Sequence, residues 1–528
     1  MDRRKFLQAG SLSGMGMLFS GKPDAAPAIF PSQNLEETSV NQLQEKMRQG
    51  ALSATDITRG YLKRIEAIDR QGPSLNAVIE INPDALSMAA AMDKERKQGR
   101  VRGPLHGIPV LIKDNIDSGD KMMTTAGALA LSGNKAKADA FIIKQLRASG
   151  AVLLGKTNLS EWANFRGNRS VSGWSSRGGQ TRCPYILDRN PCGSSSGSAA
   201  AVAASLCAIS IGTETNGSIV SPASVNGLAA IKPTVGLWSR SGIIPISSTQ
   251  DTAGPMARTL EDAVILLGAL TGADPSDAIT EESKGKALTD YTPFLDKNGL
   301  KGKRIGVDPT HIKSRLATGG LFREAINILK EQGATIVEVE LFKALDPIRN
   351  AEMVVLLYEF KEGVNRYLAG AGASVRSIAD VIAFNEANAS VAMPFFKQEL
   401  LVQSNEKGDL DSGEYKHALA QVLSSRKIIA DLMAEHKIDA LSGITHGVAC
   451  CIDLINGDYG TGPSFNTPAA ISGFPHITIP MGSVKGLPSG ISFFSTAYTE
   501  PDLIAMAYAY EQASMMRKAP QYRKDYLG

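Results

Sequence analysis

Residues 212–219 read Gly-Thr-Glu-Thr-Asn-Gly-Ser-Ile and directly follow the largely apolar run 207–211. The apolar run is typical of a buried strand, and the small residues after it are typical of a turn. A serine at the end of such a turn can face a cluster of free backbone N–H groups. That arrangement suits a nucleophile beside an oxyanion hole, which makes Ser218 a candidate catalytic residue.

Two upstream segments extend this pattern. Residues 193–200 read Gly-Ser-Ser-Ser-Gly-Ser-Ala-Ala, and the strand-like residues 107–112, Gly-Ile-Pro-Val-Leu-Ile, end in Lys113. Ser194 precedes Ser218 by 24 residues. Together the three segments resemble the amidase signature family, whose catalytic unit is a Ser-Ser-Lys triad with this spacing between its two serines.

The resemblance implies a role for each of these residues. Ser218 attacks the amide carbon to form an acyl-enzyme, Ser194 passes protons, and Lys113 is the base. The family holds the bridging serine in a cis peptide bond. The implied oxyanion donors are the backbone N–H groups of Thr215, Asn216, Gly217 and Ser218. The implied substrate contacts are Ser195 and Val220.

Lys113 can act as a base only if its surroundings lower its pKa. A free lysine has a pKa of ~10.4, so only about one molecule in a few thousand is neutral at pH 7. Burial at the end of an apolar strand supplies the required shift, because burial disfavours the charged form. Asp114 would oppose that shift, but strand alternation predicts that its side chain points to the opposite face.

The departures from the family pattern concern the substrate. Where the family often has arginine, which suits a carboxylate-bearing substrate, this chain has Val220, so this corner is neutral. Residues 212–223, and the run Tyr-Glu-Phe-Lys at 358–361, are similar to those of bacterial peptide amidases, which deamidate C-terminal peptide amides. We therefore expect an amidase that releases ammonia from C-terminal amides of peptides. The alternatives are a broad aliphatic or aryl amidase or esterase, an inactive binding homologue and an amidotransferase A-like subunit.

Apolar runs alternate with small-residue turns from residue 105 onward, which predicts an α/β fold with a buried, largely parallel or mixed sheet. We expect a single large amidase-signature domain, with a twisted mixed β-sheet core flanked by helices and a helical or αβ insertion. The expected segments are an N-terminal helical part at 29–100, the core at 101–273, an insertion or cap at 274–438, and the C-terminal part of the core at 439–528.

The N-terminus reads Met-Asp-Arg-Arg-Lys-Phe-Leu, and a weakly apolar stretch follows. The arginine pair, that stretch and the small residues Ala-Pro-Ala at 26–28 are typical of a twin-arginine export signal. We expect residues 1–28 to be this signal and the mature protein to be periplasmic or extracellular. A cytosolic basic N-terminus is the alternative.

Composition narrows the classes of partner. The chain has 528 residues, of which 43% are hydrophobic and 21% charged, with a net charge of +3. So small a charge gives no reason to expect nucleic acid as a partner, and no segment reaches the ~20 apolar residues of a membrane span. Five cysteines without metal-site spacing indicate neither a disulfide framework nor a metal site. We expect a small-molecule or peptide amide as substrate, no metal and no cofactor, and the sequence is compatible with a monomer.

One further motif suggests nucleotide binding. Residues 150–157, Gly-Ala-Val-Leu-Leu-Gly-Lys-Thr, match a Walker A pattern. A phosphate loop needs strand, loop and helix in that order, whereas this run is itself strand-like and follows a helix. We expect Gly150 to end that helix and the run after it to be a strand.

Another motif suggests a different hydrolase. Residues 193–197 match the nucleophile-elbow pattern G-x-S-x-G, with Ser195 as nucleophile and His446 or His476 as its partner. That alternative would leave Lys113 and Ser218 without a function. We expect His106, which stands alone beside a glycine, to be structural.

Overall fold

The computed structural model describes residues 35–348 and 350–527, so the predicted export signal at 1–28 lies outside the described residues. The strands are β1 Val78–Ile81, β2 Pro109–Lys113, β3 Val152–Thr157, β4 Trp174–Ser175, β5 Gly179–Gln180, β6 Ile209–Glu214, β7 Ala229–Lys232, β8 Thr252–Ala257, β9 Arg304–Val307, β10 Thr335–Glu338, β11 Ala440–Ile444, β12 His476–Val484 and β13 Leu487–Phe494. The α-helices are α1 Val40–Arg48, α2 Ala54–Arg64, α3 Ala85–Lys97, α4 Phe141–Ala148, α5 Ser196–Ala203, α6 Val220–Val225, α7 Leu260–Ala269, α8 Pro309–Ile312, α9 Ala317–Glu331, α10 Leu341–Leu345, α11 Ala351–Gly370, α12 Ile378–Ala387, α13 Ala389–Ala392, α14 Glu399–Glu406, α15 Gly413–His436, α16 Thr467–Ser472 and α17 Glu500–Ser514.

Within the described residues, eleven strands form one mixed sheet in the order β1-β3-β2-β6-β8-β7-β12-β13-β11-β9-β10. β2 runs parallel to β3 and β6, and β9 runs parallel to β10 and β11. From β6 across to β11, each strand pairs antiparallel with the next. The prediction of a mixed β-sheet core flanked by helices is confirmed.

The central strands are buried on both faces. Every residue of β2, β3, β6, β7, β8 and β11 is buried. Helices cover the sheet, with α5 packed on β6 and β8, α7 on β7 and β8, and α17 on β12. Strands covered on both faces read as nearly continuous apolar runs, which is why they are recognisable in the sequence.

Two capped helices precede the sheet. The Ser39 hydroxyl accepts a hydrogen bond from the Gln42 N–H at 3.3 Å, and the Gln42 side chain accepts one from the Ser39 N–H at 2.9 Å. Ser53 and Asp56 form the same reciprocal pair at the start of α2. Each pair satisfies two backbone donors that a helix start leaves free. Ser39 and Gln42 thus form a capping box at the start of α1.

Residues 274–438 continue the sheet and add a layer of helices. β9 and β10 lie at the edge next to β11, and α11 packs against α14 and α15. β10 ends at Glu338, shortly before α10 begins at Leu341.

The Walker A alternative is wrong. Residues 152–157 form the buried strand β3, and the lysine of the motif, Lys156, is fully buried inside the sheet. Gly150 follows α4 with a φ of +80°, and its N–H donates to the Arg147 carbonyl at 3.0 Å. This is the left-handed position after a helix that glycine occupies without steric cost, so the prediction for Gly150 is confirmed. None of the helices in the described part of the chain is both long and apolar enough to span a membrane.

Candidate active site

The carboxyl ends of two adjacent parallel strands define the candidate site. β2 ends at Lys113 and β6 ends at Glu214, with Ile112 opposite Ile211 in the register. Because these strands are parallel, their carboxyl ends meet at the same edge of the sheet. We call this edge the catalytic edge. It brings Lys113 beside the turn that leads to Ser218.

Lys113 is fully buried and is surrounded by neutral oxygen atoms. Its Nζ lies 2.7 Å from Ser194 Oγ, 3.1 Å from Ser195 Oγ and 2.8 Å from Thr213 Oγ1. The Thr213 carbonyl oxygen is a further acceptor at 3.2 Å. Among the described residues no carboxylate contacts this nitrogen, so its partners hold it in place without requiring it to be charged.

Burial lowers the pKa of Lys113 from its usual 10.5 to about 7. The negative charges of Asp251 and, more weakly, Glu214 oppose this shift. Burial also raises the pKa of Asp251, to about 6. A lysine with a pKa near neutrality is deprotonated often enough to accept a proton during a reaction at pH 7.

Asp114 points away from Lys113, as strand alternation predicted. Its carboxylate accepts a hydrogen bond from Thr125 Oγ1 and lies 3.2 Å from the Arg177 guanidinium. It is not among the charges that raise the pKa of Lys113. The prediction for the orientation of Asp114 is confirmed.

The serine-rich segment and the Ser218 turn are in direct contact. The Ser195 N–H donates to the Ser218 carbonyl oxygen at 3.2 Å, and the Gly193–Ser194 peptide bond is cis. Ser194 is fully buried, whereas Ser218 is 8% exposed. The Ser218 hydroxyl makes no hydrogen bond to any other residue that the structure describes. Of the three predicted catalytic residues, Ser218 is therefore the least buried.

Glu214 holds the turn that carries Ser218. Its buried carboxylate accepts hydrogen bonds from the N–H groups of Gly217 at 2.9 Å, Ile219 at 2.8 Å and Val220 at 3.1 Å. A carboxylate that accepts several backbone N–H groups fixes the conformation of the chain around it. The role of Glu214 was not recognised in the sequence.

The set of free oxyanion donors is smaller than the sequence predicted. The Gly217 N–H is already bonded to Glu214, which removes it from the predicted set. The N–H groups of Thr215, Asn216 and Ser218 have no acceptor among residues 35–348 and 350–527. These three donors remain available to a ligand.

The two predicted substrate contacts, Ser195 and Val220, are completely buried. The Ser195 hydroxyl donates to the Thr213 carbonyl at 3.0 Å and accepts from the Thr213 N–H at 3.1 Å. The same hydroxyl contacts Lys113 Nζ, so Ser195 links Lys113 to the end of β6. Val220 begins α6 inside the core. A direct contact of either side chain with a substrate stays a prediction.

Comparison with known proteins identifies the family. The model of the family described as Amidase matches residues 56–504. A probable amidase of Arabidopsis thaliana is 41% identical over 500 residues, which cover 93% of this chain and 92% of the plant protein. The chain belongs to the amidase family. It is thus an amide-hydrolysing enzyme.

Two further similarities bear on what this amidase does. The native peptide amidase from Stenotrophomonas maltophilia superposes with a TM-score of 0.89 and 50% sequence identity, covering 93% of the amidase and 100% of that chain. The A subunit of the glutamyl-tRNA(Gln) amidotransferase of Halorhodospira halophila is 30% identical, over 92% of the amidase and 99% of the bacterial protein.

The nucleophile-elbow alternative is wrong for this amidase. The Ser195 hydroxyl is bonded to Thr213, as described above. His476 Nε2 contacts Ser492 Oγ at 2.6 Å, and His446 Nδ1 contacts the Gly447 carbonyl at 3.0 Å. Neither histidine contacts Ser195 in the described part of the chain. No group of three or more His, Cys, Asp or Glu residues there is arranged to hold a metal ion.

Several residues around the turn that carries Ser218 were not recognised in the sequence of the amidase. Asn115 Nδ2 donates to Thr213 Oγ1 at 3.0 Å, which orients the hydroxyl that contacts Lys113. Thr213 had a recognisable signal, because it lies at the carboxyl end of the strand beside β2. Asn216 and Gln250 both donate to Glu352, at 2.8 and 2.9 Å. Glu352 had no recognisable signal in the sequence, because it lies 136 residues from Asn216 in the chain.

A cavity of about 330 Å³ adjoins the catalytic edge of the amidase. Asn115, Thr213 and Thr215 line one side. Residues 243–248 and the α11 residues Glu359 and Gly363 line the other. α11 lies in the predicted cap, so this segment supplies part of the wall.

Proposed function

We propose that the enzyme hydrolyses C-terminal amides of peptides, with Ser218 as nucleophile, Ser194 as proton relay and Lys113 as base. The observation that carries the proposal is the buried 2.7 Å contact between Lys113 Nζ and Ser194 Oγ, beside the turn that presents Ser218. The 50% identity to a peptide amidase supports the substrate class.

The proposed reaction begins with the attack of Ser218 Oγ on the amide carbon. The Ser218 proton passes to Ser194 Oγ, while the Ser194 proton passes to neutral Lys113 Nζ. Ser194 thus ends the step with as many protons as it began. The contacts of Thr213 with Lys113 support this path, because they hold Nζ within hydrogen-bond distance of Ser194.

Collapse of the tetrahedral intermediate completes the first half of the reaction. Lys113 returns the proton through Ser194 to the leaving nitrogen, the C–N bond breaks, and ammonia departs from an acyl-enzyme. Water then attacks the ester with Lys113 again as base. The acid product leaves and Ser218 recovers its proton.

The negative oxygen of each intermediate needs hydrogen-bond donors that are already in position. The free N–H groups of Thr215, Asn216 and Ser218 support this role. Fixed donors of this kind are worth about 10²–10³-fold in rate each. Glu214 contributes indirectly, since it holds the turn without using these three donors.

Replacement of the nucleophile tests the catalytic assignment. We expect Ser218→Ala to lower kcat by about 10⁴-fold or more, because the acyl-enzyme can no longer form. The matched control is Ser221→Ala, since Ser221 is a buried serine in the first turn of α6, and its hydroxyl has one hydrogen-bond partner among the described residues, Asn466 Nδ2 at 2.7 Å. Labelling with a fluorophosphonate is expected to modify Ser218 in the parent enzyme. Near-parental turnover by Ser218→Ala would show that the assignment is wrong.

The substrate class is tested by measuring ammonia release from peptide amides, free amino-acid amides and simple carboxamides. We expect the highest kcat/KM for peptide amides. A preference for simple carboxamides would instead support a broad aliphatic or aryl amidase.

A second candidate function is supply of ammonia from glutamine, as an amidotransferase A-like subunit. The similarity to the H. halophila protein over nearly its whole length favours it. Glutamine hydrolysis by the purified chain, at a rate above that with peptide amides, would support this candidate over the first.

We also propose that residues 1–28 direct export through the twin-arginine pathway. The arginine pair at Arg3 and Arg4 supports this assignment. Replacement of both by lysine is expected to retain the enzyme in the cytoplasm, as measured by activity in periplasmic and cytoplasmic fractions. An unchanged distribution would contradict the proposal.

A further inference from the structure

A second cavity lies at the edge of the sheet opposite Lys113. β6 and β12 are separated by three antiparallel steps, through β8 and β7, so they run in opposite directions. The turn between β12 and β13 therefore lies at the edge where β2 and β6 begin. A cavity of about 310 Å³ sits between this turn and residues 516–523, which follow α17. We call it the hairpin cavity.

The walls of the hairpin cavity are basic. Lys485, Lys518 and Arg523 line it, and none of the three forms an ion pair with a carboxylate of the described chain. Arg517 also lines the cavity, but its charge is balanced by Glu37 at 2.7 Å. Among the described residues, no aspartate or glutamate is part of the wall. The described wall thus carries three cations without an ion-pair partner, of which Arg523 is half-buried and Lys485 and Lys518 are exposed.

The chain segments that carry these charges are fixed in place. The Arg523 carbonyl accepts a hydrogen bond from the Leu187 N–H at 2.8 Å, and Arg523 Nη2 donates to the Lys485 carbonyl at 2.8 Å. Tyr185 Oη donates to the Lys518 carbonyl at 2.6 Å. These bonds tie the C-terminal segment to the hairpin, so the cavity is formed before any ligand arrives.

The guanidinium of Arg523 is the best-placed recognition group. It lies directly over Gly486, where an added Cβ would come within 2.5 Å of Nη2. Only Nη2 has a protein acceptor in the described residues, so the Nε and Nη1 donors are free. A planar guanidinium with free donors matches the geometry of a carboxylate or phosphate.

We propose that the hairpin cavity binds a small organic anion, whose carboxylate or phosphate group contacts Arg523, Lys485 and Lys518. Pro480, Pro488 and Ala519 supply an apolar wall for the rest of the ligand. The volume falls at the lower end of the range typical of small-molecule sites. The site is separate from the catalytic edge and does not depend on the proposed peptide specificity.

Isothermal titration calorimetry of the whole enzyme with inorganic phosphate and with citrate, at constant ionic strength, tests this proposal. We expect saturable binding of at least one anion at one site per chain. Arg523→Gln and Lys485→Gln are each expected to weaken it about tenfold or more, because each removes a charge-assisted hydrogen bond. The matched control is Lys330→Gln, which removes an exposed lysine of α9 and should leave the affinity unchanged.

Amide hydrolysis by each variant reports on folding and is expected to stay at the parental rate. If Arg523→Gln loses activity, Lys518→Gln supplies the same test from an exposed position. The proposal is overturned if neither anion binds saturably, or if the cavity variants bind as tightly as the parent. The anion would bind at the catalytic edge if it inhibited hydrolysis competitively and with equal affinity in the parent and in Arg523→Gln. That result would also overturn the proposal.

Discussion

Two fully buried lysines lie on neighbouring strands of this enzyme, Lys113 on β2 and Lys156 on β3. Lys156 is paired with Ile112 in the register, so it points to the face opposite Lys113. Lys113 contacts hydroxyl and carbonyl oxygens. Lys156 donates to Thr124 Oγ1 at 3.0 Å and to a backbone carbonyl, and it lies among acidic side chains.

Burial lowers the pKa of both lysines, but their surroundings differ in charge. The carboxylates that oppose the shift at Lys156 are Asp114, Asp117, Asp120 and Glu80. At Lys113 the opposing charges within the described chain are those of Asp251 and Glu214, and neither carboxylate contacts its nitrogen. Burial therefore does not distinguish a base from a structural cation. What distinguishes Lys113 is a neutral set of contacts that includes the hydroxyl of Ser194, the proposed proton relay.

Replacement of each lysine by methionine tests this contrast most strongly. We expect Lys113→Met to lower kcat by about 10³–10⁴-fold, because no group remains to accept the proton from Ser194. Lys156→Met is expected to reduce the free energy of unfolding by about 1–3 kcal/mol, since it removes the buried donor to the Thr124 hydroxyl and the Ile116 carbonyl. Its kcat per folded molecule should stay within about tenfold of the parent, as loss of a structural cation removes no catalytic group.

Turnover and thermal unfolding are measured for both variants. A comparable loss of kcat in the two would show that the contrast between base and structural cation is wrong. The same conclusion would follow if Lys113→Met kept its turnover while losing stability.

The elements of the core were predictable because their signals are local. β2, β3 and β6 are covered on both faces, so their sequences are nearly continuous apolar runs. Lys113, Ser194 and Ser218 follow from short motifs, and the Asp114 orientation follows from strand alternation. Each of these predictions uses only residues that are close in the chain.

The rest of the site depends on contacts between distant segments. Glu214 lies in the quoted motif, yet its acceptance of the Gly217 N–H depends on the path of the turn, which the sequence does not specify. Glu352 contacts the turn that carries Ser218 from α11, and Asp251 contacts it from the position before β8. Without the sheet order, nothing in the sequence connects them to Ser218.

Replacement of Glu214 provides the second test of the catalytic edge, because this carboxylate holds the turn that carries Ser218. Glu214→Gln keeps the shape but replaces one acceptor oxygen by an NH₂ group, which faces backbone N–H groups. We expect kcat to fall about 10–100-fold through misplacement of the oxyanion donors, with a smaller change in KM. Steady-state kinetics on a peptide amide measure both constants. An unchanged kcat would mean that the turn holds its shape without the carboxylate.

The pH dependence of the reaction gives a third test. Lys113 must be neutral to accept a proton, and its pKa is about 7. With chemistry limiting, kcat should therefore fall as pH drops below about 7, by about tenfold per unit. A flat profile between pH 5 and 9 would contradict a lysine base.

Asp251→Asn should shift the pH profile of kcat, and this shift is the smallest effect that we expect. The Asp251 charge raises the pKa of Lys113, so its removal moves the falling limb to lower pH. The shift should be visible mainly above pH 6, because Asp251 itself has a pKa of about 6 and loses its charge below that. Asparagine can still accept from the Ile246 and Ser247 N–H groups through its oxygen, which preserves the loop.

The matched control for this shift is Asp262→Asn. Asp262 is also buried, with a pKa raised to about 6, but it is not among the charges that act on Lys113. Its replacement should leave the limb in place. An equal displacement by both variants would attribute the effect to the net charge of the protein. If Asp251→Asn alone displaces the limb, the shift in the pKa of Lys113 comes from the few charges that act on this lysine. The same local charges are what make its surroundings differ from those of Lys156.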